Sequence, residues 1–334
     1  MTEPTSTSPN MRLLIAGLGT QMNEALNVAV ERRPGTPPAF RGVAVLGMGG
    51  SGIGGAVMAD MLSSELRIPF VAVSDQVLPG WVDASCLVVA SSYSGNTEET
   101  LAAAEEAVRR GCTLAAVTSG GTLERLADEG GWPKVVMPGG NPPRSQFGRS
   151  FLGLAAMLHA QGVLEASAWT ALSEAVRGLD GASAEARGES LAQAVEGKRI
   201  YLYGDTFMRG LLTRWRQQLN ENSKLLANVE VFPEMNHNEL VGWESGDEGC
   251  VAVMVRTPDD HPRTQLRMDI TSEVFNEQGA DVIVVEPDGE DRWARLLDAV
   301  WVGDWMSLVL AERAEIDPVD IRFIDHLKST LAGQ

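Results

Sequence analysis

Basic residues, histidine, cysteine and aromatics are all scarce in this chain, and each shortage removes a class of function. Lys and Arg number 27 against 45 Asp and Glu in 334 residues, a formal net charge of -18. Such a surface repels nucleic acid and anionic membrane, so neither is expected as a partner. An anionic ligand must be held locally, by backbone dipoles and a few placed cations. Four histidines, without an HxH or HExxH spacing, give little basis for a metal centre. Cys86, Cys112 and Cys250 are far apart and lie in or beside apolar runs, which reads as buried thiols in a reducing compartment. No run of about 18 apolar residues exists, and the leading MTEPTSTSPN has neither a basic region nor an apolar core for export. A cytoplasmic protein is expected. Aromatics at 6% beside 35 glycines favour close helix–sheet contacts lined by Gly and Ala.

What is present is an alternation of apolar strands and amphipathic helices. Apolar residues from Leu13 to Val30 recur at helical spacing, giving a leading helix or pair over about 11–33 that Pro37 and Pro38 stop. Strands are expected at 43–46, 69–73, 86–91, 113–117 and 134–137, with helices at 56–62, 101–109 and 123–128 between them. Strands apolar throughout and separated by helices mean a parallel sheet covered on both faces. Helices at 151–159 and 168–179 and a loop or helix at 180–190 lead to a second unit. Its strands are expected at 200–203, 229–232, 251–255 and 282–285, and its helices at 211–222, 268–278 and 293–311. A final helix, 319–331, is capped by Asp317–Pro318 and carries Ile321, Ile324, Leu327 and Leu331 as its apolar stripe. The division is therefore an N-terminal helical segment (1–40), a first α/β domain (41–150), a helical connection (151–198) and a second α/β domain (199–334).

Right-handed crossovers put the turns that follow the strands on one sheet edge. In the first domain these turns are GGSG (49–52), SSYSGNT (91–97) and TSGG (118–121), all small and polar. The glycine-rich run from Gly47, including Gly50 and Ser51, lacks the Gly-Lys-Ser/Thr ending of a nucleotide-triphosphate loop, and its GxGxxG spacing is weak evidence for a dinucleotide. An anion-binding turn suits it better, since unpaired N–H groups at a helix start can hold a phosphate without lysine. Ser92, Ser94 and Thr97 could supply a facing wall of hydroxyls; alternatively Thr97 or Asn96 caps the helix that begins with Glu98 and Glu99.

Elsewhere the chemistry-bearing residues cluster. Arg144, in GGNPPRSQFG, is one of few cations near the crevice. The stretch NENSKLLANVEVFPEMNHNELVGW (220–243) places Glu221 near a helix end and His237 in a turn between Asn236 and Asn238. A carboxylate base with an imidazole fits this mix better than a metal held by Glu234, His237 and Glu239. His159, on an Ala/Leu-rich helix, reads as structural. Lys328 could be a solvated charge near a helix end.

Taken together, GMGGSG (47–52), SYSGNTEET (92–100), TSGG (118–121), PPR (142–144), LNENSK (219–224), PEMNHNE (233–239) and DHLK (325–328) resemble the bifunctional phosphoglucose/phosphomannose isomerases, of the phosphoglucose isomerase superfamily. The resemblance runs from about residue 40 to the C-terminus. It implies two sugar-isomerase (SIS) domains, each a mostly parallel sheet flanked by helices. It implies phosphate binding by Gly50, Ser51, Ser92, Ser94 and Thr97, and catalysis by Glu221 as base and Arg144 as the cation near the reacting carbons. His237 and Lys328 would serve ring opening and positioning. It further implies sugar 6-phosphate substrates, no cofactor or metal, a place in glycolysis and gluconeogenesis, and a homodimer with His237 contributed from the neighbouring subunit. The rivals are a noncatalytic SIS sensor of phosphosugars and an isomerase of another phosphosugar.

Overall fold

The computed structural model describes residues 10–28, 30 and 39–333. Residues 1–9, the 29 and 31–33 portion of the expected leading helix, and the Pro37–Pro38 stop lie outside the described residues. Two short helices, α1 (Met11–Ala16) and α2 (Leu18–Ala25), come first. The first α/β unit follows as β1 (Gly42–Leu46), α3 (Gly49–Leu62), β2 (Phe70–Val73), β3 (Cys86–Ser92), α4 (Glu98–Arg109), β4 (Thr113–Thr118), α5 (Gly121–Gly130) and β5 (Lys134–Val136). Three helices, α6 (Phe147–Ala160), α7 (Ala166–Arg177) and α8 (Gly181–Val195), lead to the second unit. It comprises β6 (Arg199–Asp205), α9 (Arg209–Gln218), β7 (Ala227–Phe232), the short α10 (Glu239–Gly242), β8 (Cys250–Val255), α11 (Pro262–Glu277), β9 (Asp281–Val285) and α12 (Arg292–Arg313), and α13 (Arg322–Ala332) closes the chain.

Both sheets are wholly parallel, and both run in the same order. The first is β2-β1-β3-β4-β5 and the second β7-β6-β8-β9, so each starts centrally, steps one way, then reverses. Successive strand residues point to opposite faces. Val43 and Val45 of β1 join the large core between the sheets, while Ala44 and Leu46 join a separate core under α4 and α5. In β8, Val251, Val253 and Val255 face the shared core and Ala252 and Met254 face the layer under α11. Continuous apolar central strands are the consequence, because neither face of β1, β3 or β8 is left to water. α12 lies within the shared core, buried continuously from Arg295 to Ala311.

Several local expectations shift for physical reasons. The helix expected at 56–62 begins at Gly49, so the glycine run is its first turns. Close approach explains the glycines there: a Cβ on Gly55 would lie 2.8 Å from Val45, and one on Gly50 would lie 2.8 Å from the backbone N of Arg144. The 180–190 stretch is helical, within α8, capped by Asp180, whose Oδ1 accepts from the N–H groups of Ala182 and Ser183. The last helix starts at Arg322, not 319: Asp317 accepts from Val319 N in a separate turn, and the Pro318 carbonyl is taken by the Arg144 guanidinium. Its stripe is not buried, with Leu327 and Leu331 more than half exposed. Cys86, Cys112 and Cys250 are free and buried, and His159 stacks on Trp169 while bonding the Leu164 carbonyl. No helix of the described residues is long and apolar enough to cross a membrane.

Candidate active site

In a sheet ordered 2-1-3-4 the strand order reverses between the first and third strands, and the crevice outside their C-terminal ends is the natural place for a ligand. In the first sheet that crevice lies between β1 and β3, where the two polar loops meet. Ser51 Oγ accepts from Tyr93 N at 2.9 Å and Ser91 Oγ donates to the Ser51 carbonyl at 2.8 Å, locking the start of α3 to the loop after β3. Ser92 is fully buried, and its hydroxyl pairs with that of Thr97 at 2.8 Å. Ser94 is exposed and its Oγ accepts from Asn96 N.

Neither proposed cap of α4 forms. Thr97 occupies the N-cap position without a side-chain bond to the helix, and Asn96 Oδ1 instead accepts from Thr122 N in the first turn of α5. α3 likewise lacks a side-chain cap. Two helix starts thus face the crevice without side-chain caps, an arrangement that favours an anion. The TSGG turn acts as a buttress: Ser119 donates to the Tyr93 carbonyl through both N and Oγ, and Gly121 leaves no room for a Cβ against the Ser94 carbonyl.

The matching crevice of the second sheet is acidic. Asp205, Asp259 and Asp260 gather at the ends of β6 and β8, and burial pushes the Asp260 carboxyl up to about 6 against its bonds from Thr257. A phosphate would be repelled there.

Arg144 joins the first crevice to the second unit. It sits in a short 3-10 turn, Pro143–Gln146, whose backbone touches Gly50, and its side chain is 3% exposed. Its NH1 bonds Glu221 Oε2 at 3.0 Å, its Nε donates to Asn222 Oδ1 at 2.8 Å, and its NH2 reaches the Pro318 carbonyl. Burial pushes the Arg144 guanidinium down from its ordinary value, with Glu221 pulling the other way. Glu221 belongs to a π-helical turn, Leu219–Ser223, that extends α9, and its side chain is 25% exposed. Lys224 ends that turn in the left-handed region, at φ 58°, and its Nζ donates to the Glu221 carbonyl at 2.5 Å. Burial, with Arg144 nearby, lowers the affinity of Lys224 for its proton. Glu221 and Lys224 open onto a cavity of about 400 Å³ walled by Leu226, Asp320, Phe323 and Ile324.

Arg144, Glu221 and Gly50 are therefore brought together, and Ser51, Ser92 and Thr97 adjoin them through α3. Two expected residues are not. His237 is exposed in the turn after β7, whereas Glu221 precedes that strand. Six strand residues separate the two turns by roughly 17 Å. Lys328 is exposed one helical turn beyond Ile324, on the same face of α13 as that cavity-lining residue. In the alternative metal set, Glu234 accepts from Asn238 and Glu239 from the Tyr203 hydroxyl. Among the described residues no group of three or more His, Cys, Asp or Glu side chains is arranged to hold a metal.

Sequence reasoning passed over the buried supports of Arg144. Arg214, 1% exposed, donates to the Arg144 carbonyl and to Asp304, and Asn222 bonds Ser307. Asp304 did carry a signal, being a lone acid within the apolar run VWVGDWMSLVL.

Residues 184–331 match the family described as bacterial phospho-glucose isomerase C-terminal SIS domain. The chain is 36% identical over 303 residues to the bifunctional phosphoglucose/phosphomannose isomerase of Caldicellulosiruptor bescii, covering 87% of this chain and 89% of that protein. It is 35% identical over 295 residues to the enzyme of the same name from Aquifex aeolicus, covering 87% and 91%. In fold it is similar to the C-terminal domain of glucosamine-fructose-6-phosphate aminotransferase from Francisella tularensis, with a TM-score of 0.77 at 12% identity over 95% of this chain and 99% of that one. With both parallel sheets in place and identity sustained over most of its length, the chain belongs to the bifunctional phosphoglucose/phosphomannose isomerase family.

Proposed function

We propose that the protein reversibly converts glucose 6-phosphate and mannose 6-phosphate to fructose 6-phosphate through an enediol(ate). The observation that carries this reading is the Arg144–Glu221 pair, 3.0 Å apart, seated against the glycine-rich start of α3. Gly50, Ser51, Ser92, Ser94 and Thr97 hold the phosphate, by N–H groups and hydroxyls. Glu221 removes the proton from C2 of the open-chain aldose and returns it to C1, so one carboxylate serves both carbons. Arg144, always charged, stabilises the oxygen on which negative charge develops. The electron pair of the broken C–H bond stays within the substrate, and aldose and ketose are isomers, so no redox partner is needed. Epimers at C2 give the same enediol, which accounts for both aldoses feeding one ketose.

Opening the pyranose requires a proton shuttle between ring oxygen and anomeric hydroxyl, for which His237 is chemically suited, with Lys328 positioning the substrate. In this reading the protein works as a cytoplasmic homodimer, in glycolysis and gluconeogenesis, and His237 reaches Glu221 from the partner subunit. The β7 separation supports that arrangement, as do Leu226 and Phe323, which are 89% and 84% exposed beside the Glu221 cavity. A noncatalytic phosphosugar sensor would need the loops but not the buried Arg144–Glu221 pair.

Glu221→Gln keeps an acceptor for Arg144 but removes the base. Its kcat is expected to fall by about 10³-fold or more with KM largely kept, measured by steady-state formation of fructose 6-phosphate. Turnover near wild type would reject the assignment.

A further inference from the structure

Behind the Arg144–Glu221 pair the hydrogen bonds form a closed circuit. The Arg144 carbonyl accepts from Arg214 at 3.2 Å, and Arg214 donates to Asp304 Oδ2 at 2.5 Å. The Asp304 carbonyl accepts from Ser307 Oγ at 2.8 Å, Ser307 Oγ accepts from Asn222 Nδ2 at 2.9 Å, and Asn222 Oδ1 accepts from Arg144 Nε at 2.8 Å. Two cross-links brace the ring: Gln218 donates to Asp304 Oδ1 at 2.8 Å, and Ser223 Oγ donates to the Ser307 carbonyl at 2.5 Å. Arg214 also lies over the Phe147 ring, 4.3 Å from its centroid. Every residue of the ring is at least 95% buried.

We propose that Asp304 and Ser307 of α12 are positioning residues for the isomerisation, acting through Arg214 and Asn222 to set the backbone and the guanidinium of Arg144 against Glu221. The proposal rests on the reading of Arg144 and Glu221 given above. Its physical basis is that the two catalytic groups come from irregular local structures, a 3-10 turn and a π-helical turn, while α12 is a long regular helix buried without a break from Arg295 to Ala311. Ser307 reaches the π turn twice, through Asn222 and Ser223, and its hydroxyl fixes which way the Asn222 amide faces. With the amide so oriented, its oxygen is directed at Arg144 Nε, leaving NH1 for Glu221. Asp304 supplies the one buried carboxylate of the circuit, opposite Arg214, so two buried guanidiniums do not confront one another with Glu221 as their only counter-charge. Side chains held by such supporting bonds keep the geometry that catalysis requires, where a misplacement of about 1 Å can cost about 10²-fold in rate.

The test uses the full-length protein. Ser307→Ala deletes the acceptor for Asn222 and little volume, and Ser307→Thr keeps the hydroxyl. Ser307→Ala is expected to lower kcat by about 10-fold or more, with KM for the sugar phosphate changed less than 2-fold, and Ser307→Thr is expected to restore most of the lost kcat. Asp304→Asn is expected to lower kcat in the same pattern, and if it does not fold, the Ser307 pair decides. A merely structural role would show as a lower Tm with wild-type kcat per folded molecule, and that result would overturn the proposal. So would an equal loss of kcat in Ser307→Ala and Ser307→Thr. Glu221→Gln is assayed alongside: if it retains turnover the base reading fails, whereas a dead Glu221→Gln beside a fully active Ser307→Ala rejects the positioning role alone.

Discussion

Arg144 carries three acceptors on one guanidinium: a carboxylate, a side-chain amide and a backbone carbonyl. A planar fork can satisfy three directions at once, and a lysine ammonium at the end of a flexible stem cannot reproduce them. Arg144→Lys, which retains the charge and so avoids leaving Glu221 unpaired, is expected to lower kcat by about 10²-fold. Steady-state kinetics on folded protein checks this, and wild-type kcat would show that charge alone suffices. Glu221, Arg144 and the Ser/Thr-rich loops were legible as candidates in the sequence, with their roles supplied by the family resemblance. Their meeting was not, since 77 residues separate Arg144 from Glu221 and the two follow strands of different sheets. Asp304 was visible as an acid in an apolar helix, but its purpose depends on Arg214, which only the packing of α9 on α12 brings beside it.

At the scale of elements, α3 does two jobs. Its start faces the crevice, and its middle packs against α9 so closely that a Cβ on Gly210 would lie 2.7 Å from Val57 N. Asp60, on the same helix, accepts from Gly210 N at 2.7 Å across that contact. Burial raises its pKa from 3.8 to about 6, outweighing the Gly210 bond and Arg209. Because the folded value lies above the unfolded one, the ionised form is disfavoured in the native state. Stability from this group is complete below pH 3.8 and is lost as pH rises through about 6. Asp60→Asn removes that dependence while keeping an acceptor, so its Tm relative to wild type should climb between pH 4 and pH 7 in paired melts. A constant difference would place the Asp60 carboxyl at its ordinary value. The glycine run reads as a turn and not as helix, because glycine is a poor helix former. Here the close approaches to Val45 and Arg144 override that preference. The start of α13 was misplaced for a similar reason, since the capture of the Pro318 carbonyl by Arg144 has no local sequence signature.

At the scale of the whole molecule, two sheets of identical strand order have divergent crevices, one with helix starts and hydroxyls and the other with carboxylates. In the proposed mechanism the first holds the phosphate and the second lends its π turn to the chemistry. The alternation of strands and helices made this duplication legible, whereas nothing in it showed that the stripe of α13 stays exposed in the single chain. If His237 completes the site of the partner subunit, mixing Glu221→Gln with His237→Ala and allowing subunit exchange should restore activity. The heterodimer then holds one site with both wild-type groups. Two inactive parents that stay inactive after demonstrated exchange would place both residues in one subunit's site.

The isomerase mechanism is tested most directly by incubating the purified protein with glucose 6-phosphate and, separately, mannose 6-phosphate in deuterium oxide and following the products by NMR. Fructose 6-phosphate is expected from both aldoses with solvent deuterium at C1, and no conversion by Glu221→Gln. Absence of fructose 6-phosphate from either aldose, or wild-type conversion by Glu221→Gln, would contradict it.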